Sequence, residues 1–380
     1  MSRHVFLYVQ HLLGVGHAKR TALLARAFKD QGMTIEMAFG GMPVPGLDTT
    51  GAVFHQLPPV RMGESFRDLV DADGQSVDDA WKAARLDRLV ALFEASGADA
   101  LITELFPFGR PQMAFELVPM LEAARNRSPR PCIISSVRDM LQSDRAPKRV
   151  AETIERLEIF FDHVLVHADP VLARIEETFP RADEIREKLH YTGLVADTSA
   201  AEGQPRQGVV VSAGGGAFSE SLLATAIPAR SLSRLKDEPW HLILGPNLDD
   251  GARARIRHAA TAGIVVDEFR DDFPALLART RVSISRGGYN TIADVFAAGP
   301  RAVIVPFAGA GETEQRMRAE RLAARGLAQV VDETALSPES LAAAVDAAIA
   351  APELGATGLD LSGAATSARL VGDWLAEREA

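Results

Sequence analysis

The stretch Ser283-Ile284-Ser285-Arg286-Gly287-Gly288-Tyr289-Asn290-Thr291-Ile292-Ala293-Asp294 combines a strand, a turn and the start of a helix. The β-branched run 282–285 predicts a buried strand, and the apolar spacing over 289–298 predicts a helix. Two glycines between them allow a ligand to approach the backbone, which a Cβ atom would obstruct. The free N–H groups and partial positive charge of a helix start favour a phosphate at this turn.

The side chains around this turn suit a nucleotide. Asp294 lies one helical turn beyond Asn290 on the same face, so its carboxylate can accept hydrogen bonds from a ribose. Asn290 and Thr291 add side-chain donors, and Arg286 adds a positive charge for a phosphate. We therefore expect a nucleotide diphosphate here, bound by Arg286, Gly287, Gly288, Tyr289, Asn290, Thr291 and Asp294.

A second glycine-rich turn follows the strand predicted over 208–212. One glycine is enough for an ordinary strand-to-helix turn, which is the alternative interpretation. Three in a row, Gly214, Gly215 and Gly216, indicate a loop that surrounds an anion with N–H groups. No Gly-Lys-Ser/Thr follows, so this is not a Walker loop. We expect it to contact a phosphate or a sugar.

A third turn, Gly14-Val15-Gly16-His17, lies near the N-terminus. It lacks the third glycine of a dinucleotide fingerprint. Gly14 and Gly16 are predicted to open the floor of a site, and His17 to project from the helix start as a general base. A helix start disfavours imidazolium and so keeps His17 neutral. The alternative is that His17 only caps the helix.

Polar residues also follow other predicted strands. Glu314 and Gln315 come after the strand predicted over 301–306 and can bind sugar hydroxyls, although an acidic first helical turn explains them too. Glu104 and Arg110 follow the strand 98–103, and Arg138 follows the strand 132–137. These three lie where an acceptor would bind, and ion pairing within the domain is the alternative.

The sequence offers little for a metal. Asp71-Ala72-Asp73 precedes Gly74, so a turn explains it better than a metal site. His163 and His167 share one strand face without an apparent third ligand. We therefore expect neither a metal requirement nor a resident cofactor.

Composition limits the partners and the compartment. The 380 residues carry a net charge of −10, which argues against binding nucleic acid. The single cysteine, Cys132, has no internal partner, and no run has the roughly 18 apolar residues of a spanning helix. A cytoplasmic protein is expected. Apolar residues in loops 42–66 could contact the inner face of a membrane, although loop packing explains them equally well.

Strands and helices alternate along the chain, which predicts an α/β fold of doubly wound parallel sheets. The small, polar run 196–207 predicts a linker. We expect one domain over 1–195, a second over 208–360, and a C-terminal helix over 361–380 that crosses back to the first. Ligands are then expected at the carboxyl ends of the strands, between the domains.

Together these motifs resemble the GT-B glycosyltransferases, specifically family 28. The resemblance rests on Gly14 to His17, on Gly214 to Gly216, on Asp294 (where the family usually has Glu) and on the pair Glu314-Gln315. It implies two Rossmann-like domains facing across a cleft, with a UDP-sugar held mainly by the second. Residues 267–273, Phe269 included, are similar to the family's loop whose backbone binds uracil.

The resemblance implies an inverting, metal-independent transferase that moves a sugar from a UDP-sugar, such as UDP-N-acetylglucosamine or a UDP-hexose, to a hydroxyl acceptor. Lipid-linked acceptors are typical of the family, but residues 12–26 and 103–110 differ from its peptidoglycan members and leave the acceptor open. Two alternatives remain. Gly-x-Gly-His followed by Lys19-Arg20 also resembles the UDP-sugar hydrolase of pseudaminic acid synthesis, and a sugar-nucleotide-binding protein without chemistry is the third reading.

Overall fold

The protein folds into two compact units. The computed structural model describes residues 3–12, 14–63, 68–141, 145–199, 205–214, 220–245, 248–268, 270, 272–307, 309, 313–351 and 358–379. Three residues of the predicted site, Gly215, Gly216 and Phe269, lie outside these ranges. The first unit comprises Met1–Leu141, Arg145–Val195 and Ser362–Ala380, and the second comprises Gln142–Asp144 and Ala196–Leu361.

The first unit is a parallel sheet covered by helices. Its strands are β1 (His4–Val9), β2 (Thr34–Phe39), β3 (Val53–Gln56), β4 (Arg61–Met62), β5 (Leu69–Val70), β6 (Ala100–Glu104), β7 (Cys132–Arg138), β8 (His163–His167) and β9 (Leu189–Tyr191). Its first helices are α1 (Gly16–Asp30), α2 (Asp79–Ser96), α3 (Ala114–Asn126) and α4 (Pro147–Phe160). Successive β1 side chains enter different cores: Phe6 packs with Phe93 of α2, and Leu7 packs with Phe28 of α1.

The strand order of this sheet indicates where a ligand would bind. Seven parallel strands are ordered β3-β2-β1-β6-β7-β8-β9. The chain builds outward from β1 in one direction and then crosses over to β6. The carboxyl ends of β1 and β6 therefore flank a topological switch point, where ligands bind in open α/β sheets.

The second unit repeats this plan. Its strands are β10 (Val209–Ser212), β11 (Trp240–Ile243), β12 (Ile264–Asp267), β13 (Val282–Ser285), β14 (Arg301–Ile304) and β15 (Ala328–Val330). Its helices are α5 (Glu220–Leu232), α6 (Asp250–Ala259), α7 (Phe273–Ala278), α8 (Tyr289–Ala298), α9 (Glu314–Ala324) and α10 (Pro338–Ala350). The strand order β12-β11-β10-β13-β14-β15 puts its switch point between β10 and β13. Ser212 pairs with Ser285 in register there, so the two glycine-rich turns leave the sheet side by side.

The last helix, α11 (Gly363–Glu379), packs on the first unit. The Trp374 ring stacks on His163 with the ring centroids 3.7 Å apart. At Gly363 the helix start lies so close to the preceding chain that a Cβ atom would be 2.5 Å from the carbonyl oxygen of Gly193. Both contacts lie within the first unit.

One segment differs from the sequence expectation. Loops are expected over 42–66, but this region contains β4, which pairs antiparallel with β5 just beyond it. Gly63 donates its N–H to the carbonyl of Asp68 beside this pair. Two-residue strands are too short to show the alternation of apolar and polar residues by which a strand is recognised.

Candidate active site

The switch point of the first unit brings His17 and Glu104 together. Glu104 is the last residue of β6, and His17 lies in the first turn of α1, which follows β1. The Nδ1 atom of His17 is 2.8 Å from Oε1 of Glu104. His17 retains 18% of its side-chain exposure, whereas Glu104 retains 2%. The carboxylate is therefore enclosed, and the imidazole can be reached from outside.

Glu104 is held ionised in this buried position. Burial alone would raise its pKa, but Arg20, the hydrogen bond from His17 and the nearby His167 outweigh it and lower the pKa to about 2. Arg20 is itself buried and donates to Oε1. Ser136 donates from its hydroxyl to Oε2 at 2.9 Å. A carboxylate that accepts several hydrogen bonds stays charged at neutral pH.

The charge on Glu104 sets the tautomer of His17. An anionic carboxylate at 2.8 Å is best satisfied if Nδ1 carries the proton and donates it. The lone pair is then on Nε2, which has no hydrogen-bond partner among the described residues. Burial lowers the pKa of His17 to about 3, and Arg110 and Arg20 act in the same direction against Glu104. The ring is therefore neutral at pH 7 and can accept a proton.

The residues predicted for the acceptor gather around this pair. Arg110 has a left-handed backbone, φ 62°, and donates from Nε to the carbonyl of Gln10 at 3.1 Å. Burial and the neighbouring Arg138 lower the pKa of Arg110 to about 10. Gly16 begins α1, and a Cβ atom at Gly14 would meet no atom within 4 Å. Glu104 is the exception: it is buried behind the ring of His17 and is not exposed to contact an acceptor.

The sequence reasoning missed Arg20, Ser136 and His167. Arg20 lies three residues after His17, a spacing that places both on one helix face and could have been noticed. Ser136 and His167 belong to two other strands, β7 and β8. Their approach to Glu104 depends on sheet order, for which the sequence carries no local signal.

The switch point of the second unit has open space between its two turns. Ideal Cβ atoms built on Gly214 and on Gly288 would each lie 3.9 Å from Oγ1 of Thr291, with no closer atom in the described ranges. Gly214 has φ +72°, a conformation that L side chains rarely adopt. Gly288 is the N-cap of α8, so the free N–H groups of that helix face the same region. This geometry can accommodate a phosphate.

Gly287 has a structural function. A Cβ atom there would lie 2.8 Å from the carbonyl oxygen of Gln315, so the glycine is required for close packing against the start of α9. Its N–H donates to Oε1 of Gln315 at 3.1 Å, and the N–H of Phe307 donates to the same oxygen at 3.2 Å. Gly287 is therefore needed for packing in its own right, and its contact with a ligand stays a prediction. Gln315 also uses its amide oxygen to join two loops.

Arg286 and Glu314 are more enclosed than expected. Arg286 is buried, forms an ion pair with Glu333 at 2.7 Å and donates to the carbonyl of Val305 at 3.2 Å. Its guanidinium already stabilises the fold at the end of β13. Glu314 is also buried, which does not fit a side chain on an open sugar-binding surface. A desolvated charge is retained where it has internal partners, as Arg286 has in Glu333. The sugar contact of Glu314 stays a prediction.

The remaining predicted nucleotide contacts lie on α8. Asn290, Thr291 and Asp294 are half-buried and lie on the first turns of the helix. Tyr289 is buried among the residues of this helix that face the interior. Asp294 follows Asn290 by about one turn, as expected. Three α8 residues are therefore accessible near the Gly288 N-cap.

No group of three His, Cys, Asp or Glu side chains among the described residues is arranged to hold a metal ion. His163 and His167 occupy different environments, because His163 contacts His190 at 3.1 Å while His167 contacts Ser136. Asp71 accepts N–H groups from Asp73 and Gln75, as a turn residue does. Within the described ranges, no helix has the length and apolarity needed to cross a bilayer.

Sequence comparison links the second unit to a known family. Residues 209–357 match the profile of the glycosyltransferase family 28 C-terminal domain. A similar protein from Nitrosococcus oceani is named UDP-N-acetylglucosamine--N-acetylmuramyl-(pentapeptide) pyrophosphoryl-undecaprenol N-acetylglucosamine transferase. It is 31% identical over 180 residues, which cover 44% of this chain and 50% of that protein. The chain spans half or less of the length of the first curated relatives it matches.

Solved structures show the same fold over the whole chain. The calicheamicin glycosyltransferase CalG4 aligns with a TM-score of 0.62 at 16% identity, covering 100% of this chain and 98% of that one. MurG of Acinetobacter baumannii aligns with a TM-score of 0.56 at 16% identity, covering 99% of both. The predicted GT-B fold and the resemblance to family 28 are confirmed: residues 209–357 match the glycosyltransferase family 28 C-terminal domain, and the chain has the fold of these glycosyltransferase structures.

Proposed function

We propose that this protein is an inverting glycosyltransferase that moves a sugar from a UDP-sugar to a hydroxyl group of an acceptor. The observation that carries the proposal is the His17–Glu104 pair, in which a reachable imidazole contacts a buried carboxylate at 2.8 Å. This arrangement suits proton abstraction from a hydroxyl. The family 28 domain in residues 209–357 supports a nucleotide-sugar donor.

The second unit would bind the donor. The open space around Gly214, Gly288 and Thr291 lies at the switch point and at the start of α8. A diphosphate placed there would receive N–H groups and the positive end of the helix. Asp294, further along α8, would accept hydrogen bonds from the ribose. The relative from Nitrosococcus oceani is named for UDP-N-acetylglucosamine, which makes that compound the first donor to test.

The first unit would supply the base. Nε2 of His17 would take the proton of the acceptor hydroxyl as its oxygen attacks the anomeric carbon. The new carbon–oxygen bond forms while the bond from that carbon to the β-phosphate oxygen breaks, and UDP leaves. This single displacement inverts the anomeric configuration. The anionic Glu104 would stabilise the imidazolium as it forms.

We also propose that the reaction needs no metal ion. Negative charge grows on the β-phosphate as UDP departs. The amides at the start of α8 and the turn at Gly214 can stabilise this charge because they are oriented before the reaction begins. Transfer in the presence of a strong chelator, at an undiminished rate, is the expected result.

The test begins with donor binding. UDP, GDP and dTDP sugars would be screened by thermal shift, since a ligand that binds the native state raises the melting temperature by mass action and needs no acceptor. We expect stabilisation by UDP-sugars first. Stabilisation by none of the three nucleotide classes would contradict the proposal.

Catalysis is tested next with the stabilising donor, with and without pooled hydroxyl acceptors. A transferase forms product only with an acceptor, whereas rapid release of free sugar from the donor alone would identify a UDP-sugar hydrolase. His163→Gln is a suitable control because His163 lies at the opposite end of β8 from the His167 side of the site. It should leave turnover unchanged, while His17→Gln should abolish either reaction.

A further inference from the structure

A buried chain of hydrogen bonds continues behind Glu104. Its second oxygen, Oε2, accepts from the Ser136 hydroxyl at 2.9 Å. The same hydroxyl lies 2.9 Å from Nε2 of His167, and Nδ1 of His167 lies 3.0 Å from Oγ1 of Thr192. Glu104, Ser136, His167 and Thr192 are all buried. This series of hydrogen bonds therefore runs from the partly exposed ring of His17 through β6, β7 and β8 to the segment after β9.

The ionised carboxylate polarises this chain in one direction. Ser136 has one hydroxyl hydrogen, and the anion of Glu104 is its strongest available acceptor. If Ser136 donates to Glu104, then Nε2 of His167 must carry a hydrogen and donate to the Ser136 oxygen. Nδ1 of His167 then accepts from the hydroxyl of Thr192, whose single hydrogen is shared with the carbonyl oxygen of Gly193 at 3.1 Å. If Ser136 instead donated to Nε2 of His167, Oε2 of Glu104 would be buried without a hydrogen-bond donor, which would destabilise the folded protein.

This series of hydrogen bonds cannot conduct a proton from Glu104 to the solvent. Beyond His167 it reaches Thr192, whose hydroxyl contacts the carbonyl oxygens of Val166 and Gly193. Backbone carbonyls accept hydrogen bonds but do not take up protons at neutral pH. Burial lowers the pKa of His167 to about 3, with Arg20 acting in the same direction, so His167 also stays neutral. A fixed orientation is what this chain can supply.

The group whose orientation these hydrogen bonds fix is the carboxylate of Glu104, through its two oxygens. Oε1 is shared by His17 and Arg20, and Oε2 is occupied by Ser136. If the hydrogen bond at Oε2 were lost, the carboxylate could rotate. The hydrogen bond between Oε1 and Nδ1 of His17 would then no longer have a fixed geometry. A neutral His17 with the wrong tautomer cannot act as a base.

We propose that His167 and Ser136 are positioning residues of the base, which act through Glu104 to keep His17 in the tautomer that accepts a proton at Nε2. This inference rests on the proposed function, in which His17 is the general base. Neither side chain contacts the reacting atoms in this arrangement.

Three variants separate positioning from simple packing. His167→Gln retains a donor near the position of Nε2, so it preserves the bond to Ser136. His167→Asn keeps a polar group near Nδ1 and loses the donor to Ser136, and Ser136→Ala removes the link itself. We expect Ser136→Ala and His167→Asn to lower kcat by about tenfold or more, with an unchanged KM for the donor, whereas His167→Gln retains most of the activity.

The pH profile supplies a second kinetic readout. Without the Ser136 bond, the pKa of Glu104 rises from its low value, so the acidic limb of kcat should move to higher pH in Ser136→Ala and His167→Asn. The limb of His167→Gln should remain in place. A purely structural role predicts that the Gln and Asn variants lose thermal stability alike and keep the wild-type kcat per folded molecule, and that result would overturn the proposal.

Nitrogen NMR of histidine-labelled protein tests the arrangement without any substrate. Long-range proton–nitrogen spectra should show His167 as the neutral Nε2–H tautomer and His17 as the neutral Nδ1–H tautomer. In Ser136→Ala the His17 signals should change to a tautomer mixture. An unchanged His17 signal would overturn the positioning role even if no donor or acceptor were found. A wild-type protein inactive with every donor, but with the expected tautomers, would instead contradict the proposed function alone.

Discussion

The imidazole of His17 and the carboxylate of Glu104 meet at 2.8 Å although 87 positions separate them in the chain. His17 follows β1 and Glu104 ends β6, and these two strands are neighbours in the sheet. The carboxylate is enclosed and charged, and the ring is partly exposed and neutral. This difference suits the proposed roles, in which Glu104 orients and stabilises the ring and His17 exchanges the proton.

Replacing His17 by Ala should lower turnover by roughly 10²–10⁴-fold, the usual contribution of a general base. The UDP affinity should remain unchanged, because the residues proposed to bind the donor belong to the second unit. Steady-state kinetics and calorimetry with UDP provide the two measurements. Turnover within a factor of about two of wild type would exclude His17 as the base.

Glu104→Gln should lower turnover by roughly 10²-fold or more, since an amide in place of the carboxylate no longer fixes Nδ1–H as the tautomer of His17. The change keeps the size of the side chain, so loss of volume is not a cause. Circular dichroism would verify folding, and the rate would be measured at saturating donor. A rate equal to that of the wild type would show that the carboxylate has no part in catalysis.

The two glycines before α8 should respond differently to Ala. Gly287→Ala places a Cβ atom 2.8 Å from the Gln315 backbone, so it should lower the melting temperature. Gly288→Ala meets only Thr291 Oγ1, at 3.9 Å, so its stability should change by no more than about 1 kcal/mol. If a phosphate occupies this space, Gly288→Ala should still weaken UDP binding.

Thermal unfolding with and without UDP distinguishes a loss of stability in Gly287→Ala from a loss of UDP binding in Gly288→Ala. The Gly287 variant should show a lower melting temperature without UDP, and the Gly288 variant a smaller increase when UDP is added. An undiminished UDP response in Gly288→Ala would place the diphosphate elsewhere.

Acid should destabilise the first unit through its buried histidines. The pKa of His167 is lowered by burial from 6.5 to about 3, so below pH 6.5 the unfolded chain binds a proton that the folded protein does not. Its stabilising contribution is complete above pH 6.5 and is lost progressively as the pH falls towards 3. Within this window His167→Gln should make the free energy of unfolding less dependent on pH, by up to about 1.4 kcal/mol per pH unit.

Urea denaturation of wild type and His167→Gln at several values between pH 7 and pH 4 gives the two slopes. His163→Leu is not an adequate control, because His163 also has a pKa lowered by burial, to about 4. The control is His258→Gln, because His258 is exposed on the surface. Parallel slopes for wild type and His167→Gln would show that His167 is protonated in the folded state.

Asp294 tests the donor end of the proposal. It is half-buried on α8, one turn beyond Asn290. Asp294→Asn should weaken UDP binding by about tenfold, because charged hydrogen bonds to ribose hydroxyls become neutral ones. Affinity for inorganic diphosphate should be unaffected, since the helix start remains. Equal UDP affinity in wild type and variant would remove Asp294 from the ribose role.

The amino-acid sequence determined the local structure well. The strand predicted over 282–285 and the helix predicted over 289–298 have the bounds found in the structure. Short β-branched runs, apolar helical spacing and the glycines that follow strands are local signals, and they depend on neighbouring residues alone. The alternation of strands and helices also implied parallel sheets, which the fold has.

Only the tertiary structure decided the roles of single side chains. The sequence places Gly287 in a ligand turn, but the approach of α9 makes it a packing glycine. It places Glu104 after a strand, whereas only the structure shows that Arg20 and Ser136 contact its carboxylate. These roles depend on which strands become neighbours in the sheet. Strand order is set by burial over the whole domain, so residues distant in the chain acquire partners that no local pattern specifies.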